Sequence, residues 1–326
     1  MNDSTLSAAI VNTDNDKEHV VVGDMTASRT AHISVCICTY KRPDLLGRLL
    51  RSLESQQTNG LFTYSIVVAD NDGSRSAEAL VIEVAAASAI SIRYCVESRQ
   101  NIALARNKAV DNADGDYIAF IDDDEFATNA WLLTLFESCI QHGVDGVLGP
   151  VKPHFDKQPP SWVVRGGFYD RATYPTGFVI DWRKGRTGNV LLKKALFAGL
   201  AQPFRAEFRT GEDQEFFCRL INQGHVFIWC NEAVVYEVVP PIRWSRRFML
   251  RRYWLRGAME PQTPDFGVLD VVKSLLAVAL YTAMLPLLLA SSHGKFMQYS
   301  TKLSFHLGKL LAVVGINPIQ DPYVTS

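Results

Sequence analysis

The sequence has no excess of either charge and no paired-cysteine motif. Its 326 residues carry 33 Lys and Arg against 34 Asp and Glu, which gives a net charge of −1. Such a chain lacks the positive field of a general nucleic-acid-binding protein, so we expect no nucleic-acid partner. Six cysteines are present without a Cys-x-x-Cys pair, and Cys36 and Cys38 alternate within an apolar run. This usage indicates buried, reduced thiols rather than a zinc site or a disulfide framework.

Several common nucleotide-binding and targeting motifs are also missing. There is no Gly-x-Gly-x-x-Gly fingerprint and no Walker lysine loop, which argues against a dinucleotide enzyme or a P-loop ATPase. The first thirty residues are polar and lack the apolar core of a secretory signal. We therefore expect residues 1–30 to form a disordered leader and the folded part of the chain to stay in the cytoplasm.

From residue 33 onward, short apolar runs alternate with helical patterns. Strands are predicted at 33–39, 64–69, 91–96, 117–121 and 146–151, and helices after Pro43 and at 76–87, 101–112 and 130–142. This alternation is typical of an α/β fold with a mostly parallel sheet flanked by helices. Polar residues follow the first, second and fourth strands directly, and this is the sheet edge where such folds bind ligands.

The later part of the chain is less regular and contains a basic run. Further strands are predicted at 187–192 and 226–239, and a helix at 211–222. Between Arg243 and Arg256 there are six arginines and no acid. That density indicates an anionic partner, either lipid headgroups or a diphosphate, although a solvated helix face is the alternative.

Two apolar segments lie near the end of the sequence. Residues 274–290 carry no charge and include Pro286, and residues 302–314 form a shorter apolar segment. Their lengths favour helices that lie in a membrane interface, with a true span or a core helix as alternatives. We expect residues 243–326 to form a basic and apolar, membrane-associating helical region.

The acidic run at residues 122–125 is the strongest chemical signal. Three aspartates and a glutamate follow an apolar strand directly. Adjacent carboxylates repel one another unless a cation neutralises them. Oxygen ligands suit Mg²⁺ or Mn²⁺, which often complete their shells with substrate phosphates. The sequence thus predicts a divalent-metal site here, with a plain acidic turn as the alternative.

Weaker signals lie at other strand and helix ends. Asp213 opens a predicted helix, where its carboxylate either acts as a general base or simply favours the first helical turn. Thr39 and Tyr40 follow the first strand, and Asp70 and Asn71 follow the second. These side chains suit stacking on a nucleobase and hydrogen bonding to its edge, although ordinary turns have the same composition.

Taken together and in order, these segments resemble the family 2 glycosyltransferases of the GT-A fold. The resemblance covers about residues 33–256. The segments that carry it are Ser34-Val35-Cys36-Ile37-Cys38-Thr39-Tyr40-Lys41-Arg42-Pro43, Val67-Val68-Ala69-Asp70-Asn71-Asp72, Asn101-Ile102-Ala103-Leu104-Ala105-Arg106-Asn107, the acidic run, Thr187-Gly188-Asn189-Val190 and Gly211-Glu212-Asp213. The run Tyr236-Glu237-Val238-Val239-Pro240-Pro241, with the arginines after it, is similar to bacterial exopolysaccharide enzymes, the succinoglycan glucosyltransferases among them.

The resemblance implies a role for each matching position. It makes Asp213 the catalytic base, and Asp124 and Asp122 the ligands of a Mn²⁺ or Mg²⁺ cofactor. Gly188 falls near the donor sugar and the acceptor. The donor nucleotide sugar is expected to contact Thr39, Tyr40, Arg42, Asp70, Asn71, Arg106, Asp122, Asp123 and Asn189.

The same resemblance implies an overall activity. A GT-A domain at residues 31–242 would move a sugar, with inversion, from a UDP-sugar or related donor to a lipid-linked or saccharide acceptor. It would work at the cytoplasmic side of the inner membrane and contact its anionic surface. Two departures are visible. Glu237 stands where many relatives carry a metal-binding histidine, and the Gln-x-x-Arg-Trp signature of processive synthases is absent, so we expect one sugar per encounter.

Two other functions compete with this interpretation. In the first alternative, the chain is a catalytically silent, membrane-bound partner subunit that keeps the fold and only binds or positions another transferase. A nucleotidyltransferase would use the same acidic run but needs a basic loop for a triphosphate. Lys41 and Arg42 are a weak candidate for such a loop early in the chain.

Overall fold

The computed structural model describes residues 30–208, 211–263 and 266–316. Within these ranges the chain forms ten β-strands and nine α-helices. The predicted leader lies outside the described residues, except for Thr30. The predicted fold class, a mostly parallel α/β sheet flanked by helices with apolar helices after it, is confirmed.

The first part of the chain contains the predicted strands and helices, with boundaries shifted by at most two residues, and one short strand, β5 (Glu125–Ala127), that was not predicted. Short loops connect each strand or helix to the next one. The elements are β1 (Ala31–Thr39), α1 (Pro43–Leu53), β2 (Phe62–Asp70), α2 (Glu78–Ala87), β3 (Ile92–Val96), α3 (Ile102–Asp111), β4 (Tyr117–Ile121), β5 (Glu125–Ala127) and α4 (Trp131–His142).

The second part holds shorter strands and the longest helices. Its elements are β6 (Gly146–Leu148), β7 (Val151–His154), α5 (Ser161–Arg165), β8 (Asn189–Lys193), α6 (Glu212–Asn222), β9 (Phe227–Trp229), β10 (Val235–Val238), α7 (Arg246–Met259), α8 (Val268–Ser291) and α9 (His293–Val313).

The central sheet has seven strands in the order β3-β2-β1-β4-β8-β6-β9. All neighbouring strands run parallel except β8, which is antiparallel to β4 and to β6. Thr39 at the end of β1 pairs in register with Asp70 at the end of β2. The polar residues that follow these strands therefore share one edge of the sheet, as the sequence predicts.

Two predicted strands are each divided in two. The prediction at 146–151 corresponds to β6 and β7, and that at 226–239 to β9 and β10. Pro150 lies between β6 and β7 and has no N–H to donate to a ladder. In both cases the first piece joins the central sheet and the second joins a small sheet ordered β5-β10-β7.

Apolar side chains fill both faces of the central sheet. The leucine stripe of α1 is buried on one face, with Leu46, Leu49, Leu50 and Leu53 all fully buried. Phe204 and Phe216 belong to a second buried cluster that contains the other set of strand side chains. Helices thus cover both sides of the sheet, which leaves the carboxyl ends of the strands open for a site.

The last helix, α9, packs on both α7 and α8. A Cβ at Gly257 of α7 would overlap the carbonyl oxygen of Phe305 in α9, and one at Gly308 would overlap that of Trp254. The Ser304 hydroxyl donates to the Leu250 carbonyl at 2.8 Å. These contacts bring α7 and α9 to close backbone approach.

The helix α8 contacts α9 but leaves most of its apolar surface uncovered. Leu276 is 67% exposed and Leu287 is 75% exposed. Its 24 residues are long and apolar enough to cross a membrane, and only 6% of its most apolar stretch is buried. The alternative of a soluble core helix is therefore wrong for this segment.

Candidate active site

A cleft of about 400 Å³ opens at the carboxyl ends of β1 and β4. Its walls come from the loops after these strands, the start of α3 and the residues around α7. The side chains that line it are Cys38, Thr39, Tyr40, Arg42, Asn71, Gln100, Ile102, Arg106, Asp122, Asp123, Asp124, Glu237, Arg243, Phe248 and Arg252.

Two of the clustered aspartates are held by hydroxyl and guanidinium donors. The Thr39 hydroxyl donates to Asp123 Oδ2 at 2.8 Å, and Arg42 Nη1 donates to Asp123 Oδ1 at 3.2 Å. Arg42 Nη1 also lies 3.5 Å from Asp124 Oδ2, and Arg243 Nη2 reaches the same oxygen at 3.0 Å. The two carboxylates are therefore fixed in position by cations from the loop between β1 and α1 and from the segment before α7.

Asp122 faces the cleft more openly than its neighbours. Its side chain is 48% exposed and lies 3.9 Å from Arg106 Nη2. A Cβ at Gly188 would lie only 2.9 Å from Asp122 Oδ2, so the absence of a side chain at Gly188 makes space for this carboxylate. The buried Glu125 carboxylate accepts a hydrogen bond from the Asp122 amide at 3.1 Å.

The surroundings of the acid cluster disfavour the ionised form of its carboxylates. Burial raises the pKa of Asp123 to about 7, and the neighbouring Asp124 adds to the rise. Burial raises the pKa of Glu125 well above the usual range, and partial desolvation within the cleft raises that of the half-exposed Asp122. A raised carboxyl pKa means that the ionised form is destabilised, so a further cation would be favoured here.

The donor set fits a divalent ion only if other ligands complete its shell. Among the described residues, no group of three or more His, Cys, Asp or Glu side chains is arranged to hold a metal ion. The carboxylates diverge instead, because Asp123 turns to Thr39 and Asp124 turns to Arg243. Two carboxylate oxygens with substrate phosphates and water are, however, a usual shell for Mg²⁺. The half-exposed Asp122 suits that arrangement, whereas Asp124 would have to exchange its contact with Arg243 for the ion.

Asp213 lies beside this cleft rather than in it. It is the second residue of α6, and its Oδ1 accepts a hydrogen bond from the Gln214 amide at 2.8 Å. It lines a second cleft of about 430 Å³, and Arg252 lines both clefts. Arg106 joins the two groups of acids, because it forms ion pairs with Glu212 and with Asp122.

The remaining predicted donor residues divide into two groups. Tyr40 and Asn71 line the first cleft, as do Thr39 and Arg42. Asp70 is fully buried and does not line it. Its carboxylate accepts hydrogen bonds from the Ala77 amide at 2.9 Å and from the Tyr94 hydroxyl at 2.8 Å, so it shapes the loop after β2.

Asn189 is likewise placed inside the molecule. It is fully buried, and its Oδ1 accepts from the Trp131 indole at 2.8 Å. Its amide donates to the carbonyls of Pro150 and Ala233. These bonds tie β8 to the loops before β7 and β10, so any contact of Asn189 with a donor is indirect in this arrangement.

Several cationic side chains at the site escaped the sequence reasoning. Arg171 pairs with Glu237, and Glu237 also pairs with Arg243 at 3.1 Å. Glu237 thus holds two arginines, where the resemblance left a third metal ligand open. Arg171 and Arg186 lie in the irregular segment between α5 and β8, where no periodicity marks a position as functional. The only signal was the richness of residues 154–175, which include Arg171, in Pro, Trp, Tyr and Gly.

Comparison with known proteins assigns the family. A model described as Glycosyl transferase family 2 matches residues 34–199, which is half of the chain. The span begins in β1 and includes the acidic run and β8. The chain therefore belongs to glycosyl transferase family 2 and is a glycosyltransferase. Many members of this family use a divalent metal.

Two curated proteins and one solved structure show the extent of the similarity. The succinoglycan biosynthesis protein ExoM of Rhizobium meliloti (strain 1021) is 31% identical over 301 residues, which are 90% of this chain and 96% of ExoM. Glycosyltransferase GlyA of Streptococcus pneumoniae serotype 4 is 26% identical over 117 residues, only 36% of this chain and 16% of GlyA. The structure of S. aureus TarS 1–349 aligns over 88% of this chain and 93% of that chain, with a TM-score of 0.50 and 13% identity. This chain spans 55% of the longer TarS chain.

Proposed function

We propose that this protein transfers one sugar per encounter from a nucleotide diphosphate sugar to an acceptor hydroxyl, with inversion at the anomeric carbon. The observation that supports this most is the acid-lined cleft at the carboxyl ends of β1 and β4 in a family 2 chain. Its cations and carboxylates are the groups that a diphosphate and a bridging metal require.

The donor would lie along the first cleft. Tyr40 and Asn71 would flank the nucleobase, Arg42 and Arg106 would balance charge near the phosphates, and Asp122 and Asp124 would hold Mn²⁺ or Mg²⁺. When bound, this ion would stabilise the negative charge of the diphosphate leaving group. Asp123 would stay in place through Thr39 and Arg42 and shape the wall next to the donor ribose or sugar.

Asp213 would act as the general base. The acceptor oxygen forms a bond to the anomeric carbon as the bond from that carbon to the diphosphate breaks, and the acceptor proton passes to Asp213. A single displacement inverts the configuration, and no second carboxylate is needed as a covalent nucleophile. The position of Asp213 in a neighbouring cleft lets acceptor and donor approach from different sides.

The acceptor would be lipid-linked, and the protein would work at the cytoplasmic side of the inner membrane. The uncovered apolar face of α8 and the basic helix α7 support membrane association. Similarity to ExoM, named for succinoglycan biosynthesis, favours exopolysaccharide or cell-surface polysaccharide as the product. The glycosyltransferase domain would comprise residues 31–242 and the membrane-associating region residues 243–326. Arg243 and Arg252 of the second region also line the first cleft.

The purified full-length protein offers a direct test. It would be incubated with a panel of UDP-sugars and Mn²⁺, with and without lipid extract from a polysaccharide-producing bacterium, and released UDP would be measured. We expect release with one sugar of the panel and faster release with the extract. No release under any condition would favour the alternative of a catalytically silent partner subunit. Membership of a glycosyltransferase family argues against the nucleotidyltransferase alternative.

A further inference from the structure

The second cleft is strongly basic. Its volume is about 430 Å³, and one acid, Asp213, lines it. Six cationic side chains surround that acid: Arg171, Arg183, Lys184, Arg186, Arg252 and Arg256. They come from the connection between α5 and β8 and from α7, so two parts of the chain that are distant in sequence converge on this cleft.

Some of these cations have carboxylate partners and others do not. Arg171 pairs with Glu237 and Lys184 pairs with Asp181. Within the described ranges, the Arg186 side chain makes no ion pair with an acid, and its guanidinium lies 5.9 Å from the centre of the Trp229 ring. Burial lowers the pKa of Arg186, and the nearby positive charge of Arg171 lowers it further. A partly buried cation beside another cation is stabilised when an anion binds between them.

The two arginines from α7 are in a similar position. Arg252 and Arg256 are one helical turn apart, and their guanidinium groups lie over the rings of Tyr169 and Tyr253 at 5.8 and 5.6 Å. In the part of the chain that the structure describes, neither forms an ion pair with a carboxylate. Aromatic contacts leave the donor hydrogens of a guanidinium available for a ligand.

We propose that the second cleft binds an anionic group of the acceptor and thereby presents the reacting hydroxyl to Asp213. The proposal rests on the proposed function, because it takes Asp213 as the base. The anionic group is a carboxylate or a phosphate, since the flat fork of arginine matches both. It belongs either to an acidic sugar next to the reacting one or to the diphosphate of a lipid-linked acceptor.

Binding measurements with charged and neutral probe pairs test the proposal. Calorimetry on the full-length protein, with UDP and Mn²⁺ present, would measure the affinity for each probe. One pair is cellobiouronic acid and cellobiose, and the other is farnesyl-diphosphate-linked glucose and farnesyl glucoside. We expect at least one charged probe to bind roughly tenfold more tightly than its neutral counterpart, as one charge-assisted hydrogen bond is worth about that much. The pair that shows the preference identifies the source of the anion.

Single substitutions locate the effect. Arg186→Gln should remove the preference for the charged probe and leave UDP binding unchanged. Arg93→Gln is the matched control, because Arg93 pairs with Asp114 on the exposed edge of the sheet and lines neither cleft. If the melting temperature shows that Arg186→Gln does not fold, Arg256→Gln at the exposed rim of the cleft takes its place.

Three results would overturn the inference. Equal binding of charged and neutral members in both pairs would show that no anion is recognised. An unchanged preference in a folded cleft variant would place recognition elsewhere. Weaker UDP binding in that variant would assign the cleft to the donor. Failure of the wild-type protein to bind any nucleotide sugar would instead contradict the proposed function, which keeps the two failures distinguishable.

Discussion

At the scale of single residues, two arginines form ion pairs with the clustered aspartates. Arg42 holds Asp123 and Asp124 from one side, and Arg243 holds Asp124 from the other. These ion pairs fix the positions of Asp123 and Asp124, and burial still raises the pKa of Asp123 to about 7. A cation bound beside these buried carboxylates would lower the cost of ionising them.

The raised pKa of Asp123 predicts how stability depends on pH without metal. The unfolded chain loses this proton near pH ~4, whereas the folded protein keeps it up to pH ~7. The stabilisation is complete below the unfolded pKa and is lost as the pH rises through the folded one. The melting temperature in metal-free buffer should therefore decrease as the pH is raised from ~4 to ~7.

Asp123→Asn provides the comparison for that pH profile. Its amide cannot ionise, so the fall in melting temperature over the same range should become shallower. Differential scanning fluorimetry of both proteins across a pH series would measure the two slopes. Parallel slopes would mean that Asp123 does not hold its proton in the folded state.

The proposed base is tested by a neutral isostere. Asp213→Asn should reduce transfer by at least ~10²-fold, since general-base catalysis typically contributes that much, and should leave UDP binding nearly intact. Glu215→Gln is the matched control on the same helical turn, because Glu215 is paired with Arg205 and Arg219. Equal transfer rates for Asp213→Asn and the wild type would remove Asp213 from the role.

At the scale of helices and strands, the elements with strong periodicity could be predicted and the irregular ones could not. The leucine spacing after Pro43 gives α1, and the apolar run at 117–121 gives β4 with the same limits. The division of the strand at 146–151 depends on pairing with distant strands, which short-range patterns do not contain. The strand β5 contains part of the acidic run, and its pairing with β10 is equally long-range.

The packing of α9 against α7 holds α7 in the wall of both clefts. Gly308 of α9 lies against the backbone of Trp254, so Gly308→Ala should push α9 away from α7. We expect a loss of about 1–3 kcal/mol in stability, the usual cost of overpacking, together with weaker binding in the clefts. Chemical denaturation would measure the loss.

Gly294→Ala is the control for that substitution. Gly294 lies in the first turn of the same helix, where a Cβ would meet its neighbours at 3.5 Å or more. Alanine there should be tolerated, because the contact is an ordinary one and alanine favours the helix. Similar destabilisation of both variants would contradict the close approach of α7 and α9.

At the scale of the whole molecule, two clefts open next to each other and one helix exposes an apolar face. The sequence predicts Asp122–Asp124 at one site and Asp213 at another, and only the fold shows that Arg106 and Arg252 connect them. The basic residues of the loop after α5 could not be assigned from the sequence, because their function depends on which part of α7 they face. The burial of Asp70 and Asn189 is also a property of the fold alone.

The exposed face of α8 predicts membrane binding. Leu276→Lys should weaken flotation of the protein with anionic liposomes, because a lysine in the hydrocarbon region costs about 2.5–3.5 kcal/mol at the centre of a helix. Ile82→Lys is the control, since Ile82 is an exposed apolar residue of α2, away from the last three helices. Equal flotation of the Leu276 variant and the wild type would mean that α8 does not enter the lipid.

The central claim is that the aspartates after β4 hold a divalent ion that in turn binds the diphosphate of the donor. Calorimetric titration of UDP into the wild type and into Asp124→Ala, each with and without Mn²⁺, measures this directly. We expect Mn²⁺ to tighten UDP binding in the wild type and to have little effect in the variant. Equal tightening by Mn²⁺ in both proteins would contradict it.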